Sequence, residues 1–304
     1  MLQYLDKKFK STKRYYGGKF RRYTVVVNRR IYRPPSYPFI SGDTFRKYSN
    51  FVFDETKSFN PKSVKQDDVV FLKSNLKEIY FSTIHPKIEN KYILLTHNSD
   101  ENITDNDKTF IDEKIIHWFA QNLNIIADKK ISPLPIGFEN RFYLNNGKIK
   151  ILKIGEKNEQ NKVDKIHSSF NLNTNYFARN EVLNKISTIE HIHNIKFSTP
   201  REYITNLKYF KFVICPEGNG KDTHRIWEAL LTKTIPIVLK NEFTLNLASL
   251  GVPLNLIDNW DELDKFTNEF INKEYKKYRQ HEFLKFTKFK FWETKINEVK
   301  LLSK

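Results

Sequence analysis

FVICPEGNGKDTHRIWEALLTKTIPIVL, residues 212–239, compresses a strand, a glycine-bearing loop, a helix and a second strand into one short segment. The opening FVIC is a continuous apolar run, as expected of a strand buried on both faces of a parallel sheet. Pro216-Glu217-Gly218-Asn219-Gly220 follows, a loop whose glycines allow close backbone approach. Asp222 is the expected N-cap of a helix running to Leu231, with Ile226, Trp227 and Leu230 on its apolar face. Pro236 lies in the next strand. A glycine loop opening onto a helix N-terminus presents unpaired N–H groups at the positive end of the helix dipole, which is a phosphate site. Lys221, His224 and Arg225 crowd that first turn, where the dipole disfavours cations. An anion seated among them accounts for the crowding. Arg225 and Glu228 are three apart and share a helix face, so they can address phosphate and ribose hydroxyls together, or simply pair with each other on a surface. Two familiar phosphate loops fail: Cys215 and Asp222 break the Walker pattern, and Thr223 breaks GxGxxG.

Outward from this segment, apolar runs recur at 165–171, 193–198, 211–216, 234–239 and 252–258. Helical patterns lie between them, at 177–186, 201–207, 222–231 and from 245. That alternation predicts βαβ units and a parallel, nucleotide-binding type of sheet. The N-terminal half carries strand-like runs at 24–28, 50–54, 68–73 and 91–98, then a helix-like IDEKIIHWFAQN at 111–122. ISPLPIGFENR, 131–141, reads as an extended segment ending in a turn at Gly137. The polar stretch 145–164 reads as a linker with a short strand at 149–154. The tail is helical in composition, and its aromatics, among them Phe270, Phe283, Phe286, Phe289 and Trp292, require it to pack back onto the body. The expected division is a basic arm (1–36), an N-terminal domain (37–145), a linker (146–164), a C-terminal nucleotide-binding domain (165–267) and terminal helices (268–304).

At 304 residues and 39% hydrophobic content the chain is long enough for two cores. Its one cysteine, Cys215, excludes an intramolecular disulfide and suits a reducing compartment. No apolar run approaches the roughly 18 residues of a membrane span, and the N-terminus lacks a signal-peptide core. A cytoplasmic protein, soluble or peripheral at the inner face of the membrane, is expected. The net charge of +17 is uneven: residues 1–33 hold eleven Lys or Arg against Asp6 alone. Tyr15, Tyr16, Phe20 and Tyr23 lie among these cations, a composition suited to an anionic headgroup layer, to nucleic acid, or to a solvated basic surface.

The central motif resembles the donor site of exostosin-like glycosyltransferases, in which C-P-x-G is followed by R-x-W-E-A and then by I-P. Pro216, Gly218, Arg225, Trp227, Glu228, Ala229, Ile235 and Pro236 match it; Lys233-Thr234 stand where the family usually has a glycine. SGDTFR (41–46), LLTHNSD (94–100), HWFAQN (117–122), PLPIGFENR (133–141) and FNLNTNYFAR (170–179) look like bacterial relatives of the group. The resemblance implies a GT-B fold, two Rossmann-like domains facing a cleft, and an enzyme that moves a sugar from a nucleoside diphosphate to a glycan or lipid-linked glycan in surface-polysaccharide synthesis. It implies that Arg225 neutralises the donor diphosphate, that Glu228 bonds the ribose, and that Gly218 to Gly220 admit the donor to the backbone. Glu217, Asn219, Lys221 and His224 complete the expected donor set. Asn175 and Arg179 join it as second phosphate contacts, or else cap their own helix.

An inverting transfer needs a general base on the acceptor side. His97 and Asp100 follow the apolar run YILL, at the strand end where open α/β sheets bind ligands, and Asp43 is a third candidate. A turn capped by Asn98 and Asp100 is the plain alternative. No metal or cofactor is expected beyond the nucleotide-sugar co-substrate; Asp105-Asn106-Asp107 has the letters of a metal-binding triplet but sits in a polar run. Transfer of a non-sugar, nucleotide-activated group is an alternative use of the same site. Nucleic-acid binding would explain the charge but not the glycine loop.

Overall fold

The computed structural model describes residues 33–157 and 161–302. The basic arm, apart from its last residues, and the strand expected at 24–28 lie outside them. The protein is α/β, with two five-stranded, all-parallel sheets.

The first sheet is ordered sequentially: β1 (Phe51–Phe53), β2 (Asp68–Lys73), β3 (Tyr92–His97), β4 (Ile115–Ala120) and β5 (Ile131–Pro133). Its two faces enter different apolar clusters. Val69, Phe71, Ile93, Leu95 and Phe119 point into one; Val70, Leu72, Leu94 and Trp118 point into the other. Burial on both faces removes the usual alternation, which is why these strands are continuous apolar runs. The same double burial explains a correction. Residues 111–122 read as a helix, but IIHWFA is strand β4, its β-branched and aromatic side chains shared between the two clusters.

The second sheet has the order β10-β9-β8-β6-β7, from β6 (Val163–Ser168), β7 (Ile192–Asn194), β8 (Phe210–Ile214), β9 (Ile235–Leu239) and β10 (Asn255–Ile257). The chain leaves β6 in one direction to make β7, then crosses back to make β8 on the other side. The order therefore reverses between β6 and β8. In such sheets ligands bind in the crevice outside the strand ends at this switch point.

Ten helices are described. They are α1 (Gly42–Tyr48), α2 (Lys77–Thr83), α3 (Ile149–Glu156), α4 (Tyr176–Ile186), α5 (Pro200–Leu207), α6 (His224–Leu231), α7 (Glu242–Ser249), α8 (Asn268–Lys276), α9 (Phe283–Thr287) and α10 (Phe289–Leu302). Helix α3 occupies the place of the short strand expected at 149–154. Its buried residues, Leu152 and Gly155, are three apart, spacing that suits a helix face and not a strand, and Gly155 lies beside Leu231 and Ile204.

The tail does return to the body. Trp292 meets Trp227 edge-to-face at 6.1 Å, and Phe289 meets Phe45 at 5.5 Å. Backbone bonds Phe289 N–H to Pro38 O and Ile40 N–H to Thr287 O lay the segment before α10 along the start of the first domain. Phe71 and Leu95 of the first sheet and Phe212 and Ile235 of the second belong to a single apolar cluster. No described helix is long and apolar enough to cross a membrane.

Candidate functional site

The loop after β8 is built against the first domain. Asp222, expected as an N-cap, instead sits fully buried two residues before α6, and Thr223 takes the cap position. The Asp222 carboxylate accepts the Ile136 N–H at 2.6 Å and the Trp227 indole N–H at 2.9 Å. Its own N–H donates to Asn122 Oδ1 at 2.9 Å. Asn122 is held in the left-handed region, φ 53°, and a Cβ on Gly220 would lie 2.5 Å from its amide, so any side chain at 220 would push that amide aside. Burial pushes the Asp222 carboxyl up to about 7. The loop is thus clasped by a carboxylate and an amide from opposite domains.

The expected cation cluster does not converge. Lys221 pairs with Glu217 at 3.1 Å, and Glu217 also accepts from Asn241 at 2.9 Å, so both lie on the far side of the loop. His224 Nδ1 is 2.7 Å from Gly137 O, in the first domain. Asn219 reaches Asp100 at 3.1 Å across the gap. Of the three first-turn cations Arg225 alone lines the crevice at the strand ends, together with Glu228 on the next turn of α6. One cation per direction replaces three in one place.

Asn175 and Arg179 act on the loop and not in the crevice. Asn175 caps α4 through Ala178 N–H and donates to Gly218 O at 3.0 Å. Arg179 donates Nε to Glu217 O at 2.9 Å and Nη1 to Asn171 O at 2.6 Å, and also bonds Thr174. These bonds tie the loop after β6 to the loop after β8, the two walls of the switch-point crevice. A Cβ on Gly218 would sit 3.2 Å from Arg179 Nη2, so the glycine makes room for this brace.

The crevice has two lobes that share Ser169, Phe197 and Arg225, of about 490 and 330 Å³. Asn171 and Lys196 line the larger; Thr199, Tyr203 and Glu228 line the smaller. Its surroundings hold buried polar atoms without hydrogen-bond partners: Arg225 Nε, Thr223 Oγ1, Ser168 Oγ and both nitrogens of His167, while the buried Tyr203 hydroxyl is turned to the Arg225 guanidinium. Such atoms are costly to leave unpaired, at roughly 1–3 kcal/mol each, and native structures gather them where a ligand or water completes them. Thr223 makes no side-chain capping bond, so the start of α6 is uncapped. Burial pushes the Glu228 carboxyl up to about 7, against the opposing pull of Arg225. Burial and the nearby Arg225 and His193 hold His167 down at about 3, a neutral imidazole.

A separate cavity of about 330 Å³ opens at the ends of β2, β3 and β4, lined by Lys73, His97, Asn98, Asp100, Gln121, Asn140 and Tyr143. His224 closes it from the second domain. His97, expected as a base, is spent structurally: Asn98 N–H donates to Nδ1 at 2.7 Å, and Nε2 donates to Pro135 O at 2.9 Å. Burial lowers it to about 4. Asp43 is buried against Arg33 at 2.6 Å, and burial outweighs that partner to raise its carboxyl above the ordinary range. Asp100 lines the cavity and holds the Asn219 amide. Asp107 accepts the Thr104 N–H at 2.7 Å and pairs with Lys77 at 2.9 Å, which makes the triplet a helix-capping feature. Among the described residues no His, Cys, Asp or Glu cluster is gathered in the manner of metal ligands.

Sequence reasoning gave no site role to Asn122, His167, Ser168, Tyr203 or Thr223. One signal was readable: Thr199-Pro200-x-Glu202 is a capping box that starts α5 beside the smaller lobe. No protein-family model and no curated protein matches the chain.

Proposed function

We propose that the protein is a glycosyltransferase of the two-domain GT-B type, inverting and independent of metal, that binds a nucleoside-diphosphate sugar in the crevice between the loops after β6 and β8. The observation that carries this reading is the set of unpartnered buried polar atoms around Arg225 at the switch point of a parallel sheet. The donor diphosphate lies against Arg225 and the uncapped start of α6, where a developing negative charge is met by fixed donors as the nucleotide departs. Glu228 bonds the ribose hydroxyls. Arg179 and Asn175, expected as phosphate contacts, instead tie the two walls of the crevice to each other. The acceptor occupies the first-domain cavity, whose amides Asn98, Gln121 and Asn140 and rings Phe138, Phe142 and Tyr143 suit the hydroxyls and faces of a glycan.

A thermal-shift panel of UDP, GDP, CMP and their sugars tests the reading. One nucleoside diphosphate should stabilise the chain by roughly 2.7 kcal/mol at a hundredfold excess over Kd. Arg225→Ala should fold and lose most of that gain. A wild type unmoved by every nucleotide overturns the assignment.

A further inference from the structure

We infer that His224 is the general base of the transfer proposed above, a reading on which this inference rests, in place of His97, Asp100 or Asp43. Gly137 O can only accept, so at 2.7 Å His224 Nδ1 must carry its proton. In the neutral ring Nε2 is then a lone pair, and the ring lines the first-domain cavity beside Asn98, Asp100 and Phe138. Burial lowers its proton affinity; Glu139 and Asp100 pull the other way, and Arg225 reinforces the burial. The imidazole is therefore neutral at physiological pH and able to take a proton.

The alternatives are geometrically engaged. Both nitrogens of His97 are bonded within the protein, Asp43 is buried against Arg33, and Asp100, solvent-exposed, gives one carboxylate oxygen to Asn219 across the gap. His224 is also the immediate neighbour of Arg225. The two side chains diverge at the start of α6, one into the acceptor cavity and one into the donor crevice. Tautomer, open nitrogen and position between the two subsites coincide in this one residue.

In the step, the acceptor hydroxyl gives its proton to Nε2 while its oxygen bonds the anomeric carbon. The bond from that carbon to the diphosphate breaks, and its electron pair leaves on the phosphate facing Arg225. The imidazolium then returns its proton to solvent.

The test uses the full chain and the UDP- or GDP-sugar that stabilises it, with release of free nucleoside diphosphate as the readout, in water and with added saccharides. His224→Asn keeps a donor at the Nδ1 position for Gly137 O but has no Nε2. His224→Gln reaches the Nε2 position but takes no proton. Both should bind the donor within about threefold of wild type and lose roughly 10²–10⁴ in kcat. The acid limb of the wild-type kcat profile, lying below the usual histidine range, should vanish in both. A His224→Asn protein that keeps more than a tenth of wild-type kcat shows that only the Gly137 contact mattered and overturns the inference. So does a parallel loss of donor affinity, or a wild type that binds a donor and never releases diphosphate from it. A wild type that binds no donor overturns the transferase reading, and this inference with it.

Discussion

Glu228 carries its charge state near neutrality because burial raises its carboxyl to about 7 despite Arg225. A carboxyl whose folded pKa exceeds its unfolded value binds protons more tightly when folded. Its contribution to stability is therefore full below the unfolded pKa and is lost as pH rises toward the folded one. The window runs from about 4.5, the ordinary glutamate value, to about 7. Glu228→Gln removes this dependence. The melting temperature of the variant relative to wild type should rise by a few °C between pH 5 and pH 8; a difference that is flat or falls over that range contradicts the assignment. Asp222 has the same sign and a shift of comparable size, so both proteins should keep a falling stability with pH from that group, and only the difference between them reports Glu228.

Lys162, just before β6, is the internal fastener of the second domain. Its Nζ lies 2.7 Å from Lys208 O, 2.9 Å from Phe210 O, 3.1 Å from Thr232 O and 3.0 Å from Thr234 Oγ1, joining α5, β8 and the end of α6. Lys162→Met removes the donor from these oxygens and should cost roughly 2–4 kcal/mol in denaturant unfolding. Elements of this domain were largely legible in the sequence, because buried parallel strands and amphipathic helices write different periods. The segment 111–122 misled because a twelve-residue stretch with charges at its start imitates a helix, and only burial on both faces decides for the strand. The glycine loop announced the crevice. It could not announce that Asp222 would turn toward Ile136, 86 residues away, or that Lys221 would turn back to Glu217. Local spacing places a charge on a turn; the fold then chooses its direction.

The two sheets share an apolar cluster, the tail packs on both, and Asp222 and Asn246 bond from the second domain into the first. The halves should therefore unfold together. Calorimetry should give one transition, with calorimetric and van't Hoff enthalpies in agreement; two resolved peaks would show independent units. Asp222→Ala removes a buried acceptor from Ile136 N–H and Trp227 and should lower stability by roughly 2–4 kcal/mol without splitting that transition. His224 and Arg225 are joined by one peptide bond, with Cα atoms about 3.8 Å apart. In a transferase that closed by hinge bending, the gap between acceptor and leaving group would be set afresh in every turnover. Here, on the reading proposed above, the gauge is covalent: reach is fixed by a backbone step, and selectivity among sugars is left to the loops that decide how each substrate is offered to it.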